Sequence, residues 1–217
     1  MCSYNGADFL VPYDFYPGEM TDAPVLLPLP DANGNVSTMV QFCRRICPGA
    51  SILVPRFDRL HAGRVPTSDA TADILADRAA ALIVHAVSEH DLALVPIVSV
   101  GHRDGADLGM CLTLRHGTLL AASIMLSPTT YSAPAEHQTI KGLHVLLTLG
   151  TTEHDQGAVG WQTRNAMLEA GAEIICERIP RRRTLGPFET AISRVFIAAL
   201  FGNHQSEHEP EFQFRPM

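Results

Sequence analysis

Residues 101–105 read Gly-His-Arg-Asp-Gly, so two glycines bracket three residues whose side chains could do chemistry. Glycines two positions either side of a central residue allow a strained strand-to-helix turn of the kind that presents a nucleophile in many enzymes. The central residue here is Arg103, whose guanidinium stays protonated and has no acceptor lone pair. Arg103 therefore cannot attack a carbonyl, but it can bind a carboxylate or phosphate through paired hydrogen bonds.

The neighbours of Arg103 allow two interpretations. His102 has the chemistry of a general base, and Asp104 could contact a bound substrate. Residues beside such a turn also commonly pack or hydrogen-bond without taking part in chemistry, and the sequence leaves both interpretations open.

The turn needs a strand before it and a helix after it, and the sequence predicts both. Residues 97–100 are predicted to form a buried strand, and residues 106–114 a helix. The same patterns predict an edge strand at 9–11, strands at 25–29, 51–55, 120–125, 144–149 and 173–179, and helices at 37–47, 71–89, 158–170 and 187–200. Apolar stripes are predicted in the first two helices: Met39, Phe42, Cys43 and Ile46; then Ile74, Leu75, Ala81, Leu82 and Val84.

Strands that alternate with helices predict an α/β fold with a mostly parallel sheet and helices on both faces, which makes three layers. Ligands of such sheets bind at the carboxyl ends of the strands. We expect one domain over residues 1–201 and a polar tail over residues 202–217.

Composition excludes several classes of protein. The net charge of −7 disfavours nucleic-acid binding, and no apolar run is long enough to span a membrane. The first residues lack a signal peptide, so we expect a cytoplasmic protein of bacterial type. We predict no cofactor and no metal, because Cys43 and Cys47 have no second pair, and His204 and His208 lie in the predicted tail. Cys111 is expected to lie in the core.

The order of these landmarks, from about Val25 to Leu200, resembles the α/β-hydrolase fold, and in particular the small carboxylesterase and phospholipase-like serine hydrolases. Residues 30–34 match the loop that helps to form the oxyanion hole in that family, which assigns a substrate-binding role to Asp31 and Ala32. Residues 101–106 match the Gly-x-Ser-x-Gly-Ala turn of the family, with Arg103 at the serine position.

The resemblance also implies positions for the other two members of the catalytic triad. Residues 150–153, Gly-Thr-Thr-Glu, place Glu153 at the position of the acid, and residues 180–183, Pro-Arg-Arg-Arg, place Arg183 at the position of the histidine. An alignment shifted slightly would make Asp155 the acid, and His154 offers another base. The implied triad is degenerate, since nucleophile and base are both replaced by arginine.

Four functions stay open at this point. In the first, Arg103 and Arg183 lie around Glu153 and form either a site for a small organic anion or an internal ion-pair plug. The protein is then a pseudo-hydrolase or a hydrolase-like protein with a repurposed pocket. The others are a lyase, isomerase or cyclase that uses arginine and His102 or His154, a residual carboxylesterase acting on an ester-like ligand, and a structural partner subunit. For the esterase, Ser127 has no histidine partner that the sequence identifies.

Residues 181–183 form either a surface anion site or a solvated turn. The family also implies self-association as a homodimer.

Overall fold

The computed structural model describes residues 11–20, 22–29, 36–57, 69–130, 134, 138–151, 158–180 and 184–202, apart from the side chains of residues 69–71, 151 and 180. Within these ranges the strands are β1 (Tyr13–Tyr16), β2 (Val25–Leu29), β3 (Ser51–Pro55), β4 (Ile97–His102), β5 (Ala122–Leu126), β6 (His144–Thr151) and β7 (Glu173–Pro180). The helices are α1 (Val36–Ile46), α2 (Asp69–Glu89), α3 (Asp104–His116), α4 (Ala158–Glu169) and α5 (Pro187–Phe201).

The strands form one sheet in the order β1-β3-β2-β4-β5-β6-β7. Strands β2 to β7 run parallel, and only the edge strand β1 is antiparallel to its neighbour β3. All residues of β2, β4 and β5 are buried, as expected for parallel strands covered on both faces. The parallel register brings the carboxyl ends of β2, β4, β5, β6 and β7 to the same edge of the sheet.

Helices cover both faces of this sheet. One hydrophobic core joins the sheet to α2, α3 and α4, and the other joins it to α1 and α5. The predicted three-layer α/β architecture is therefore confirmed. The predicted stripe of α1 is confirmed as well, because Met39, Phe42, Cys43 and Ile46 are all buried.

The edge strand predicted at 9–11 can be compared with the structure only at Val11. Val11 lies outside any strand, and residues 9 and 10 lie outside the described residues, whereas the edge strand begins at Tyr13. Its register explains the shift, since Tyr13 pairs with Pro55 and Tyr16 with Ile52 of β3. The partner strand therefore selects which part of the N-terminal segment is extended.

The stripe predicted for α2 is only partly correct. Leu75 and Leu82 are buried, but Ile74, Ala81 and Val84 are exposed. The helix instead faces the core with a set of small and branched residues: Leu75, Ala76, Ala79, Ala80, Leu82, Ile83 and Ala86. An alanine-rich helix is apolar around most of its circumference, so its period alone does not specify the buried face.

The elements around residue 103 lie closer to the turn than the sequence predicts. Strand β4 includes Gly101 and His102, because they pair with Met125 and Leu126 of β5. Helix α3 begins at Asp104 instead of residue 106. Only Arg103 remains between the strand and the helix.

Candidate functional site

Arg103 is the turn residue between β4 and α3, and its backbone is strained. Its φ of 55° and ψ of −119° lie in a region that costs a residue with a side chain about 1–3 kcal/mol. The backbone is held on both sides: its N–H donates to the carbonyl oxygen of Leu126 at 2.9 Å, and its carbonyl accepts the N–H groups of Ala106 at 2.8 Å and Asp107 at 3.0 Å. Arg103 is thus fixed at the carboxyl edge of the sheet.

Gly101 permits this turn because the start of α3 lies almost against its Cα. A Cβ at residue 101 would lie 2.5 Å from the carbonyl carbon of Gly105 and 2.7 Å from the amide nitrogen of Ala106. These neighbours are backbone atoms, so they cannot rotate away. The expectation that glycine is needed here to avoid a collision is confirmed at Gly101.

His102 is buried under the turn with only 7% of its surface exposed. Burial, and to a smaller extent the charge of Arg103, lowers its pKa from 6.5 to about 4, although Glu189 and Asp104 act in the opposite direction. The imidazole is therefore neutral at neutral pH. A group with this pKa is a weak base, so the structure gives little support to His102 as a general base near pH 7.

Asp104 and Asp107 hold the segment that follows β5. The Asp107 carboxylate accepts hydrogen bonds from the backbone N–H groups of Thr129 and Thr130, at 2.9 and 3.0 Å, and from their hydroxyl groups, at 2.8 and 2.7 Å. The hydroxyl of Thr129 also lies 2.9 Å from Oδ1 of Asp104. Burial raises the pKa of Asp107, whereas these hydrogen bonds lower it. Asp104, predicted to contact substrate, is thus engaged by Thr129.

Ser127 is a second strained residue at this edge. It follows β5 with a φ of 51°, and it is buried. Its N–H lies 3.1 Å from the carbonyl oxygen and 2.9 Å from Oγ1 of Thr148. Arg103 and Ser127 therefore stand at the ends of adjacent strands, each with a positive φ.

Glu189 is a buried acid that the sequence analysis did not single out. It lies in the first turn of α5 with 3% of its surface exposed, and its Oε2 accepts the N–H of Gly186 at 3.0 Å. Its charge acts on His102, at the end of β4. The order Gly186-Pro-Phe-Glu is a usable signal, because an acid three residues after a helix N-cap commonly binds the cap N–H.

The remaining predicted site residues lie outside the described residues: Asp31, Ala32, Glu153, His154, Asp155 and Arg183, with the rest of the arginine run 181–183. In the chain they follow the carboxyl ends of β2, β6 and β7. Their roles stay predictions.

The cysteines that the structure describes are buried or half-buried. Cys43 and Cys111 are buried, which confirms the core position expected for Cys111, and burial raises the pKa of Cys43 strongly. Within the described ranges, no group of three or more histidine, cysteine or acidic side chains could hold a metal ion. No helix in the same ranges is long and apolar enough to cross a membrane.

No protein-family model matches the chain, and no curated protein matches its sequence. Solved structures do match. A carboxylesterase from Mesorhizobium loti has 22% sequence identity and a TM-score of 0.75, over 88% of this chain and 96% of that chain. The Bacillus cereus carboxylesterase has 20% identity and a TM-score of 0.76, over 91% of this chain and 98% of that chain. The structure of YahD with malic acid has 15% identity and a TM-score of 0.74, over 88% of this chain and all of that chain.

These likenesses, together with the sheet order and the turn at Arg103, define the fold. The chain has the α/β-hydrolase fold, as the resemblance implied. At this level of identity the comparison establishes the fold, and the chemistry has to be argued from the residues at the turn.

Proposed function

We propose that this protein binds a small organic anion at the turn between β4 and α3 and does not carry out serine-dependent acyl transfer. The observation that carries the proposal is Arg103 in the strained turn between β4 and α3, which is the position that the resemblance assigns to the serine nucleophile of the family. A guanidinium cannot attack a carbonyl, but its N–H donors match a carboxylate. The change of residue at this position therefore favours binding over hydrolysis.

Arg183 and Glu153 complete the proposed site. Two guanidinium groups and one carboxylate leave a charge of about +1 if all three meet at the edge of the sheet. An excess of positive charge favours an anionic ligand, whereas a balanced cluster would form a plug. The fold neighbour described with malic acid makes a carboxylate a reasonable first probe for this chain.

Two enzymatic functions are the alternatives. The carboxylesterase neighbours favour hydrolysis of an ester-like ligand by another nucleophile, and Ser127 is the candidate because it is strained and lies beside the turn. A lyase, isomerase or cyclase would need a base, and the low pKa of His102 argues against that residue near pH 7. His154 remains the candidate base for such a reaction.

The first experiment measures turnover of short-chain aryl esters by the wild-type protein, by R103A and by the R103S/R183H double variant. We expect no turnover by the wild type and a gain of activity in the double variant, since it restores the serine and histidine of the family. Equal turnover by the wild type and R103A would overturn the proposal and place the nucleophile elsewhere. S127A would then test Ser127.

The second experiment measures malate binding by calorimetry. R103A should weaken binding at least tenfold, because a charge-assisted pair of hydrogen bonds is lost. R45A is the matched control, because it removes the same charge at Arg45, which is exposed in the last turn of α1. Equal binding by all three proteins would reject Arg103 as the anion-binding residue.

We further propose the bacterial, cytoplasmic setting and the homodimer that the sequence analysis suggested. Light scattering of the purified protein tests the homodimer directly, because it measures molecular mass in solution. A mass equal to that of one chain would reject it.

A further inference from the structure

Strand β7 forms one edge of the sheet and is longer than the strand at the other edge. It has eight residues, whereas β1 has four. In the part of the chain that the structure describes, β7 pairs with β6 alone, and the pairing is one-to-one from Glu173 to Pro180, without a bulge. Long and regular edge strands offer their backbone groups to another strand, and most proteins shorten or interrupt such edges. β7 is therefore the edge of this sheet that is open to further pairing.

The backbone groups that β7 turns outward follow from its pairing with β6. The N–H of Glu173 donates to the carbonyl oxygen of Leu143 at 2.9 Å, so the odd-numbered residues of β7 face β6. Backbone groups alternate in direction along a strand, and those of Ile174, Cys176 and Arg178 therefore point away from the sheet. None of these three is a proline, so each has an N–H to donate.

Apolar side chains are exposed along the same edge. Ile175 is 50% exposed, and Trp161 and Leu168 of α4 are 38% and 42% exposed. Trp161 lies against β7, because the guanidinium carbon of Arg178 is 5.5 Å from the centre of its ring. Leu168 is seven residues further along α4, on the same side of that helix. The edge thus combines outward backbone donors and acceptors with exposed apolar surface, which is typical of a surface that binds another protein.

The charges of β7 select one antiparallel pairing with a second copy of the same strand. Such a pair has a twofold axis at one residue. An axis at Ile175 would place Glu173 of one copy opposite Glu177 of the other, and an axis at Glu177 or at Arg178 would place that residue opposite itself. Like charges directly opposite each other destabilise a pair of strands. An axis at Cys176 avoids all of these contacts and pairs nearly the whole strand.

We propose that two copies of this chain associate by antiparallel pairing of their β7 strands, with Cys176 of both copies on the twofold axis. This inference rests on the homodimer proposed above and names its interface. The outward groups of residues 174, 176 and 178 then form about six backbone hydrogen bonds between the copies. Ile175 of each copy lies opposite Glu177 of the other, in a pair without hydrogen bonds, where the side chains are closest.

The test changes the charge at residue 175 and measures molecular mass by light scattering over a dilution series of the full chain. I175E places two carboxylates opposite each other at both symmetric positions, so the dissociation constant of the dimer should rise at least tenfold. I175K places an ammonium group opposite Glu177 and should keep the dissociation constant within about threefold of the wild type. The double variant I175E/E177K again pairs opposite charges and should restore the dimer.

V195E is the matched control, because Val195 is an exposed apolar residue of α5 and gains the same charge. We expect its mass to match that of the wild type. If I175E and I175K weaken the dimer equally, or V195E weakens it as much as I175E, the interface is wrong while the homodimer stands. If the wild type has the mass of one chain throughout the series, the homodimer and its interface both fall.

A second measurement does not depend on the folding of a charged variant. The two Cys176 residues on the axis have Cα atoms about 5.5 Å apart, so a short bis-maleimide should join them into a covalent dimer on denaturing electrophoresis. C176S should lose this product. C47S should keep it, since Cys47 is the other half-buried cysteine among the described residues. A wild-type dimer that gives no such product, or the same product in C176S, overturns the inference.

Discussion

Arg103 and Ser127 stand at the ends of adjacent strands, and both have a positive φ, yet the protein holds them in different ways. At Arg103 the turn is made by close contact, since Gly101 lets the start of α3 approach the end of β4. At Ser127 the turn is made by hydrogen bonds from other elements: Thr148 binds its N–H, and Asp107 binds Thr129 and Thr130. The N–H of Arg103 also donates to the carbonyl oxygen of Leu126, so both turns use a partner distant in sequence, but the turn at Arg103 also requires a glycine where α3 approaches β4.

The largest expected effect comes from filling the space at Gly101. G101A should destabilise the protein by roughly 3–5 kcal/mol, because the new methyl group collides with backbone atoms of Gly105 and Ala106. Urea denaturation followed by circular dichroism measures this change.

G109A is the control for that substitution. A Cβ at Gly109 would meet only Leu29 Cδ1 at 3.5 Å and Met125 Cγ at 4.0 Å, which are ordinary contacts. Alanine is favoured over glycine inside a helix, so G109A should be neutral or stabilise by about 0.5–1 kcal/mol. Equal destabilisation by both variants would remove close contact as the reason for Gly101.

The second effect tests the hydrogen bonds that follow Ser127. D107A should cost about 2–4 kcal/mol, because four donors of Thr129 and Thr130 lose a charged acceptor. D77A should cost at most about 1 kcal/mol, since Asp77 is half-exposed in its ion pair with Arg115. Thermal unfolding of both variants decides the matter, and a cost for D107A no greater than that for D77A would contradict the account of this turn.

The third effect is a pH dependence of stability that arises at His102, beside the turn at Arg103. Between about pH 6.5 and 4 the unfolded chain binds a proton at His102 that the folded chain does not, so stability falls as the pH is lowered through this range. The charged groups acting on the ring are Arg103, Glu189 and Asp104. H102Q should therefore lose less stability than the wild type between pH 7 and 4.5 in urea denaturation. An identical loss in both proteins would show that the ring is not buried in its neutral form.

The smallest effect compares two substitutions at Ser127. Both S127G and S127A remove the hydroxyl, but only glycine adopts a positive φ without strain. S127G should therefore be more stable than S127A by about 1 kcal/mol in calorimetric unfolding. If S127A is equally stable, the backbone at residue 127 is not strained, and the comparison with Arg103 fails.

Much of the fold followed from local patterns. The bounds predicted for β2 and β3 agree with the structure, because short apolar runs ended by loop residues are nearly sufficient to mark a buried parallel strand. The turn at Arg103 was found for the same reason, since its glycines lie within five residues of sequence. The α/β architecture followed from the alternation of strands and helices.

Other features depended on partners distant in sequence. The bounds of the edge strand β1 did not follow from the sequence, because β3 selects which N-terminal residues pair with it. The buried face of α2 was misjudged because an alanine-rich helix takes its orientation from the surface against which it packs. The roles of Asp107 and Thr148 were invisible for a similar reason, since their partners lie more than twenty residues away.

The sequence by itself determined which residue occupies the turn after β4. That residue is an arginine, which has no capacity for nucleophilic attack. Only the tertiary structure decided the electrostatic setting of that arginine. The burial of His102 and of Glu189, and the effect of the Glu189 charge on the pKa of His102, arise only on folding, because removal of water and proximity of charges exist only in the folded chain.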